Sequence, residues 1–230
     1  LLGARVIPSA KGSGTLAGFD RSGAVSIFIG LATLLFAVTE GYSFGWTSPV
    51  ILCMLAISAT AIGFFLWHEI HVPNPILEIR LFVRRNFLLT NLALVLVFLS
   101  FSGINYLLPF YLEYVKGYPT STAGLVLTSL SVAMMVSGIL AGLLFNRVGA
   151  RTLCISAAVI LLAGYFLMWH LHVDTPIGYI LACLSSIGFG MGLLITPLSN
   201  MILNSVAKSY QGMVSSLTSL ERFALMTIGI

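Results

Sequence analysis

Ionisable side chains are rare in this sequence, and those inside or beside long apolar runs are the first candidates for chemistry. Glu40 and Glu113 lie near the ends of such runs, and Glu221 with Arg222 lies inside the last one. A carboxylate whose protonation differs between two conformations can couple proton movement to the movement of a solute. We therefore interpret these four residues as candidates for coupling or gating. A structural or interfacial role is the alternative for the two outer glutamates, and a position near the cytoplasmic end is the alternative for Arg222.

Polar residues and prolines interrupt two other apolar runs. A helix that faces only lipid has no reason to carry them, because unsatisfied polar groups are costly in hydrocarbon. An aromatic ring such as that of Tyr106 can also hold a lipophilic cation. The pattern predicts a substrate cavity, with hydrogen bonding between helices as the alternative. Its candidate residues are Asn105, Tyr106, Pro109, Pro197 and Asn200.

Nothing in the sequence favours enzymatic or metal chemistry. His170, His172 and Asp174 alternate on one short turn, which is a weak pattern for metal ligands and more typical of a hydrated loop. The spans hold no nucleophile–base cluster, and no phosphate-binding Gly-x-x-x-x-Gly-Lys-Ser/Thr motif is present. We predict that the protein is not an enzyme and uses no cofactor.

Composition indicates an integral membrane protein. The 230 residues are 58% hydrophobic and 8% charged, whereas about a quarter of the residues in soluble domains are charged. Apolar runs of membrane-crossing length require about 20 residues each. The sequence predicts an all-α, polytopic bundle of transmembrane helices, with six complete spans and part of a seventh. The predicted spans are 22–40, 49–67, 87–112, 121–145, 152–171, 176–203 and 212–230.

A short basic turn between two of these spans fixes the orientation. Arg147 and Arg151 flank Gly149, which permits a sharp backbone bend, and Asn146 can cap a helix terminus. Successive loops lie on alternate sides of the membrane, because each span carries the chain across it. With this assignment, ten of the eleven Lys and Arg residues lie on the same side as the turn, and Lys116 lies on the other. The turn is therefore predicted to face the cytoplasm. The scattered basic residues form no surface for nucleic acid.

Small residues four positions apart also occur in the spans. Gly138 with Gly142 and Gly188 with Gly192 form small-x-x-x-small pairs. Such pairs allow two helix backbones to approach closely. We predict that both pairs lie at helix crossings.

The turn and several other segments resemble a known family. The residues Gly142, Asn146, Arg147, Gly149 and Arg151 follow the loop signature of major facilitator superfamily transporters, except that Asn146 stands where the family usually has Asp. Further segments resemble the fourteen-span drug:proton antiporter branch. They are Phe19-Asp20, Glu40-Gly41 with Trp46, the segment 73–82, Arg85-Asn86-Phe87, 108–112, Gly117-Tyr118, 123–125, and Gln211-Gly212-Met213 with Arg222.

This resemblance implies an organisation for the chain. It predicts a major facilitator type bundle that is partial, running from after the sixth span into the thirteenth. Residues 1–21 would be a cytoplasmic loop, 22–67 two linker transmembrane helices, 68–86 a second cytoplasmic loop, and 87–230 an incomplete C-terminal transporter half. The missing N-terminal half of the same chain would then be its partner across the central cavity.

The function implied by the resemblance is proton-coupled export of amphipathic or cationic drugs across the plasma membrane. The partners would be the lipid bilayer, a small-molecule substrate and the proton. Two alternatives remain: a transporter of another cargo such as a metabolite, sugar or lipid, and a permease-like membrane sensor that transports nothing. An anionic cargo is disfavoured, because the six complete spans carry no Lys or Arg at mid-span.

Overall fold

The computed structural model describes residues 20–72, 75–206 and 210–228, and the regular structure in this part of the chain is helical. The predicted loop at 1–21 lies outside it, apart from Asp20 and Arg21. A 3-10 turn spans Ile79–Val83, and a π-helical segment, Tyr111–Val115, continues the third helix. The helices are α1 (Arg21–Phe44), α2 (Pro49–His71), α3 (Arg85–Phe110), α4 (Thr120–Val148), α5 (Ala150–Trp169), α6 (Ile177–Asn204) and α7 (Gln211–Ile228).

The six complete spans predicted from the sequence are confirmed. Within the described residues, α1 to α6 are each long and apolar enough to cross a membrane, with α3 counted together with its π-helical extension. Large apolar side chains such as Phe28, Leu125 and Leu162 are exposed on their surfaces, as expected for faces that contact lipid. The more polar α7 forms at the place of the predicted seventh span but does not belong to this group.

Helix α6 is the centre of the bundle, packed along α4 on one side and α5 on the other. Glycines bring the backbones together: a Cβ atom on Gly188 would collide with the carbonyl group of Leu130 in α4. A Cβ atom on Gly192 would collide with Ser137, also in α4. The predicted crossing at Gly188 and Gly192 is therefore confirmed.

The other predicted crossing is only half right. The backbone nitrogen of Gly138 lies close to Gly192 of α6, at the place where a Cβ atom on Gly192 would stand. The space around Gly142, by contrast, is open. Gly142 lies one turn beyond the contact with α6, on an exposed part of α4. The prediction of close packing at Gly142 was wrong.

Helices α1 and α2 form a hairpin of their own. Gly30 of α1 leaves room for Ile62 of α2, and the Ser58 hydroxyl donates a 2.8 Å hydrogen bond to the Gly30 carbonyl oxygen. Contacts of this hairpin with the rest of the described structure run through α1 to α7 and through α2 to the 3-10 turn. The hairpin is thus held to the bundle mainly at α7 and the 3-10 turn.

Several helix ends differ from the sequence predictions. Helix α1 continues to Phe44 and α2 to His71, each four residues beyond its predicted end, so the first residues of the predicted loop at 68–86 are helical. Helix α4 ends at Gly149, whose φ of 83° favours glycine, while Asn146 lies within the last turn of α4 and caps neither α4 nor α5. The third span continues past residue 112 to Val115. Its backbone passes Pro109 and closes a π-type turn in which the Lys116 N–H donates to the Tyr111 carbonyl oxygen at 3.0 Å.

Candidate functional site

Asn105, one of the predicted cavity residues, lines a groove between α3 and α4. Its volume is about 660 Å³, within the range that holds drug-sized ligands. The two helices make few contacts with each other, so the groove stays open between them. Its lining comprises Phe101, Asn105, Leu130, Ser131, Met134, Met135, Gly138 and Ile139.

The groove is apolar with two polar side chains. Asn105 donates a 2.9 Å hydrogen bond from Nδ2 to the Phe101 carbonyl oxygen, which fixes its amide against its own helix. Ser131 lies across the groove on α4, beside the polarisable thioethers of Met134 and Met135. None of the described lining residues is charged. The groove can therefore hold an apolar or weakly polar body but supplies no ion pair.

The structure separates the five predicted cavity residues into two levels. Tyr106 lies next to Asn105 on an exposed part of α3, with its ring 5.2 Å from that of Phe110, and Pro109 is half-buried one turn further on. In α6, Pro197 is fully buried in the helix packing and Asn200 is half-buried. A helix rises about 1.5 Å per residue. Asn105 therefore lies about 15 Å along α3 from the end of its span at Val115, and Pro197 lies about 30 Å along α6 from the corresponding end at Ile177.

Of the five residues, Asn105 is the one that lines the groove, and a substrate cavity shared by all five stays a prediction. Pro197 is enclosed and presents no free surface to a ligand. The sequence could not separate these levels, because it fixes which residues are polar but not where neighbouring helices stand in relation to each other.

The ionisable candidates occupy different surroundings. Glu221 is half-buried on α7, and no described donor reaches its enclosed Oε2. Arg222 does not pair with it but lies over the ring of Phe223, 4.9 Å from the ring centroid. Glu40 is half-buried near the C-terminal end of α1, and Glu113 is half-buried in the π-helical segment. The structure therefore keeps these four candidates apart from the groove.

The residues of the loop signature lie at the surface. Gly142, Asn146, Arg147, Gly149 and Arg151 are all exposed at the junction of α4 and α5. Gly149 supplies the bend that the sequence predicted. No salt bridge involves either arginine in the described part of the chain. The arginines are accordingly free to contact solvent, lipid headgroups or another segment.

A cluster that the sequence did not single out joins the ends of α1 and α2. The Asp20 carboxylate accepts hydrogen bonds from the Gly23 N–H at 2.9 Å and the Ser22 hydroxyl at 2.7 Å, and lies 3.1 Å from Nε2 of His68. Burial acts to raise the pKa of Asp20, but these hydrogen bonds and the His68 imidazole outweigh it and hold the pKa below its ordinary value. The contact spans 48 positions, which is why local patterns did not indicate it.

A second unpredicted contact closes the opposite side of the bundle. The Lys116 ammonium donates to the carbonyl oxygens of Val173 and Thr175 at 2.6 and 2.8 Å. Beside it, the Tyr111 hydroxyl donates to the carbonyl oxygen of His172 at 2.8 Å. The turn after α5, which carries His170, His172 and Asp174, is thus tied to the end of α3. Within the described residues no three His, Cys, Asp or Glu side chains are grouped to hold a metal ion.

Comparison with known proteins identifies a family. The model of the Major Facilitator Superfamily matches residues 21–229. The multidrug resistance protein Stp of Mycobacterium tuberculosis (strain H37Rv) is 30% identical over 212 residues, which cover 92% of this chain and 39% of Stp. The multidrug transporter protein MdtP of Bacillus subtilis is 28% identical over 213 residues, covering 92% of this chain and 39% of MdtP.

A third relative is an uncharacterized MFS-type transporter, YhcA of Bacillus subtilis, 30% identical over 187 residues that cover 81% of this chain. The chain spans only 35 to 39% of the length of these three curated relatives.

Proposed function

The chain belongs to the major facilitator superfamily, a family of membrane transporters and not of enzymes, and from this premise we propose that it is part of a proton-coupled exporter of amphipathic or cationic drugs. It would be the central and C-terminal part of a longer chain in the plasma membrane. Its N-terminal half would then close the central cavity from the opposite side. The names of two relatives, a multidrug resistance protein and a multidrug transporter, support this assignment.

The observation that carries the drug assignment is the composition of the groove between α3 and α4. A wall of aliphatic side chains, methionines and one phenylalanine suits an amphipathic body, while Asn105 and Ser131 offer a few hydrogen-bonding positions. Methionine side chains adapt to ligands of different shape, which favours broad specificity. A cation would be held by the Asn105 amide oxygen and the ring of Phe101 instead of by a carboxylate.

Proton coupling requires an ionisable group in the membrane, and Glu221 is our candidate in this chain. Its enclosed Oε2 has no donor among the described residues, so the ionised form lacks compensation on that side. Protonation of Glu221 removes that cost. A change between two conformations that expose Glu221 to different sides of the membrane would let it release the proton and bind another. The proton gradient would supply the energy, and no cofactor is required.

The rival is a transporter of another cargo on the same scaffold, such as a metabolite, sugar or lipid. A strongly hydrated sugar requires many hydrogen-bonding groups, and the described lining offers two polar side chains. An anion would require basic residues, and the described lining contains none. The composition of the groove therefore favours the amphipathic cargo. A sensor that transports nothing is distinguished from it by the transport assay below.

The test uses the full-length transporter in inverted vesicles with an imposed proton gradient. Ethidium or a quaternary ammonium compound is added, and proton release is followed with a pH-sensitive dye. Release that persists in Asn146→Asp but is lost in Glu221→Gln supports drug:proton exchange with Glu221 as a coupling residue. Release that persists in Glu221→Gln leaves the exchange in place and removes Glu221 from it. Folded and inserted protein without any response to a broad drug panel contradicts the drug assignment.

A further inference from the structure

A groove lies between α1 and α2, on a different side of the hairpin from the one that meets α7, and we call it the hairpin groove. Its volume is about 620 Å³. On α1 it is lined by Arg21, Val25 and Ile29, which are four residues apart and therefore form one stripe of the helix. Ile27 of α1 instead lines a cavity with α7. The hairpin groove shares no lining residue with that cavity or with the groove between α3 and α4.

The second wall of the hairpin groove comes from α2. Ile57, Thr60 and Phe64 are three and four residues apart, and all three are exposed. Between the two walls, the small side chain of Ser26 is buried and that of Ala61 is half-buried. Small side chains between larger exposed ones leave a trough that runs about 10 Å along the helices, at about 1.5 Å per residue. The shape suits the hydrocarbon chain of a lipid.

One end of the hairpin groove lies at the level of the lipid headgroups. Arg21 is the first residue of α1, and the contact between Asp20 and His68 places it level with the last turn of α2. This end of α2 also carries Trp67, which is 60% exposed, and His71, whose ring centroid is 5.0 Å from that of Trp67. Exposed tryptophan and basic residues are typical of the membrane–water interface. The groove therefore begins at the interface and continues into the hydrocarbon.

The charge at this end of the groove is positive. Arg21 alone is charged among the described lining residues, and its exposed side chain forms no salt bridge with a described residue. The neighbouring Asp20 carboxylate lines the cavity with α7 and lies against His68. Residues 1–19 contain basic side chains but no Asp or Glu, so they add no negative charge. An anion is the complement to this end of the groove.

The hydroxyl groups of the groove do not compete with Arg21 for a headgroup. Ser22 donates its proton to Asp20 at 2.7 Å, and Thr60 donates to carbonyl oxygens of its own helix at 2.9 Å. The Arg21 guanidinium can bind two phosphate oxygens at once. A zwitterionic lipid also carries a phosphate, but its cation would lie near Arg21 with no described lining carboxylate to receive it. A headgroup with a net negative charge is therefore favoured.

We propose that the hairpin groove binds an anionic phospholipid of the cytoplasmic leaflet, with its phosphate on Arg21. One acyl chain lies in the trough between the α1 stripe and the α2 wall. The cytoplasmic leaflet is the one that carries anionic lipids, and Arg21 is on the side predicted to face it. The lipid would fix the hairpin on its bilayer side, while α7 and the 3-10 turn hold it on the other. The site does not depend on drug export.

The test is native mass spectrometry of the full-length transporter. It is released from nanodiscs that contain equal amounts of phosphatidylglycerol and phosphatidylcholine with the same acyl chains. The wild type is expected to retain phosphatidylglycerol about fivefold over phosphatidylcholine, the effect of one basic residue beside an anionic lipid. Arg21→Gln is expected to abolish this preference. Arg85→Gln is the matched control, because Arg85 is exposed at the start of α3 and does not line the groove.

A pair of tryptophan variants tests whether the acyl chain lies in the groove. Thr60→Trp fills the trough from an exposed position whose hydroxyl bonds only its own helix, and is expected to reduce the retained phosphatidylglycerol. Ala59→Trp adds the same ring at the neighbouring exposed position, which does not line the groove. It should retain the lipid as the wild type does.

Several outcomes overturn the proposal. Equal retention of the two lipids by the wild type would exclude selection for an anion, and equal losses in Arg21→Gln and Arg85→Gln would show a diffuse attraction to basic residues. Unchanged retention in Thr60→Trp would place the lipid elsewhere. A nitroxide at Thr60→Cys, in a cysteine-free background, reports access to oxygen dissolved in the bilayer. Low access would show that the N-terminal half or a second copy covers the groove, which also overturns the proposal.

Discussion

The Asp20 carboxylate lies 3.1 Å from Nε2 of His68 and so joins the first residue before α1 to the last turn of α2. The side chain of Asp20 is 4% exposed and that of His68 is 21% exposed. The same carboxylate oxygen caps α1 through the Gly23 N–H. One side chain therefore closes the α1–α2 hairpin and begins its first helix.

We predict that two substitutions separate these roles. Asp20→Asn keeps an oxygen for the cap but removes the charge, and is expected to cost about 0.5 kcal/mol, as for a partly exposed ion pair. Asp20→Ala also removes the cap and is expected to cost about 1 kcal/mol more. Thermal unfolding of the purified protein measures both. Equal losses in the two variants would contradict the capping role, and an unchanged stability in Asp20→Asn would contradict the ion pair.

The pH dependence follows from the lowered pKa of Asp20. Its ordinary value is 3.8. A group whose folded-state pKa is depressed stabilises the fold above the unfolded pKa and loses this effect as the pH falls through the folded value. The contribution of the Asp20 charge is measured as the difference in the free energy of unfolding between wild type and Asp20→Asn. This difference is therefore expected to have its full value above about pH 5 and to shrink below about pH 4. A parallel series with His68→Gln separates the titration of the imidazole.

A second prediction concerns the packing of α6 on α4. Gly192→Ala places a Cβ atom against Ser137 and the Met134 carbonyl oxygen, and overpacking of this kind costs about 1 to 3 kcal/mol. Gly142→Ala on α4 is the matched control, because nothing lies within 4 Å of the added atom. It is expected to be neutral or slightly stabilising, since alanine favours a helix. Similar melting temperatures for the two variants would contradict the packing.

A third prediction concerns the groove between α3 and α4. Asn105→Leu removes the amide that faces the groove and is expected to weaken drug binding about threefold to tenfold, the loss of one hydrogen bond. Leu107→Ala, two residues further along and 63% exposed, is the control and should leave binding unchanged. Drug binding is measured by fluorescence titration of ethidium. An unchanged affinity in Asn105→Leu would remove this residue from the site.

A fourth prediction concerns the contact between Lys116 and the turn after α5. Lys116→Met removes the donor to Val173 and Thr175 and is expected to cost about 1 to 2 kcal/mol. Hydrogen exchange of the amides around 170–175 is expected to become faster. Lys116→Arg, which retains charged donors, should exchange more slowly than Lys116→Met. If exchange is the same in wild type and Lys116→Met, the contact does not hold the turn.

Much of the fold could be predicted from the sequence. The lengths of the apolar runs predicted six spans, and Gly149 predicted the bend between α4 and α5, because both depend on local chemistry. The positions of Asn105 and Ser131 on one groove could not be predicted, since nothing in their local sequence couples α3 to α4. The burial of Pro197 escaped prediction for the same reason.

The sequence by itself determined the class of protein, the helical spans and their family, because hydrophobic length and a few turn residues restrict a chain in a bilayer to a small set of structures. Tertiary structure alone decided which faces meet. It placed Gly188 and Gly192 against α4, brought Asp20 to His68, and tied Lys116 to the turn after α5. These contacts depend on the rotation and relative depth of neighbouring helices, which an almost uniformly apolar sequence does not specify.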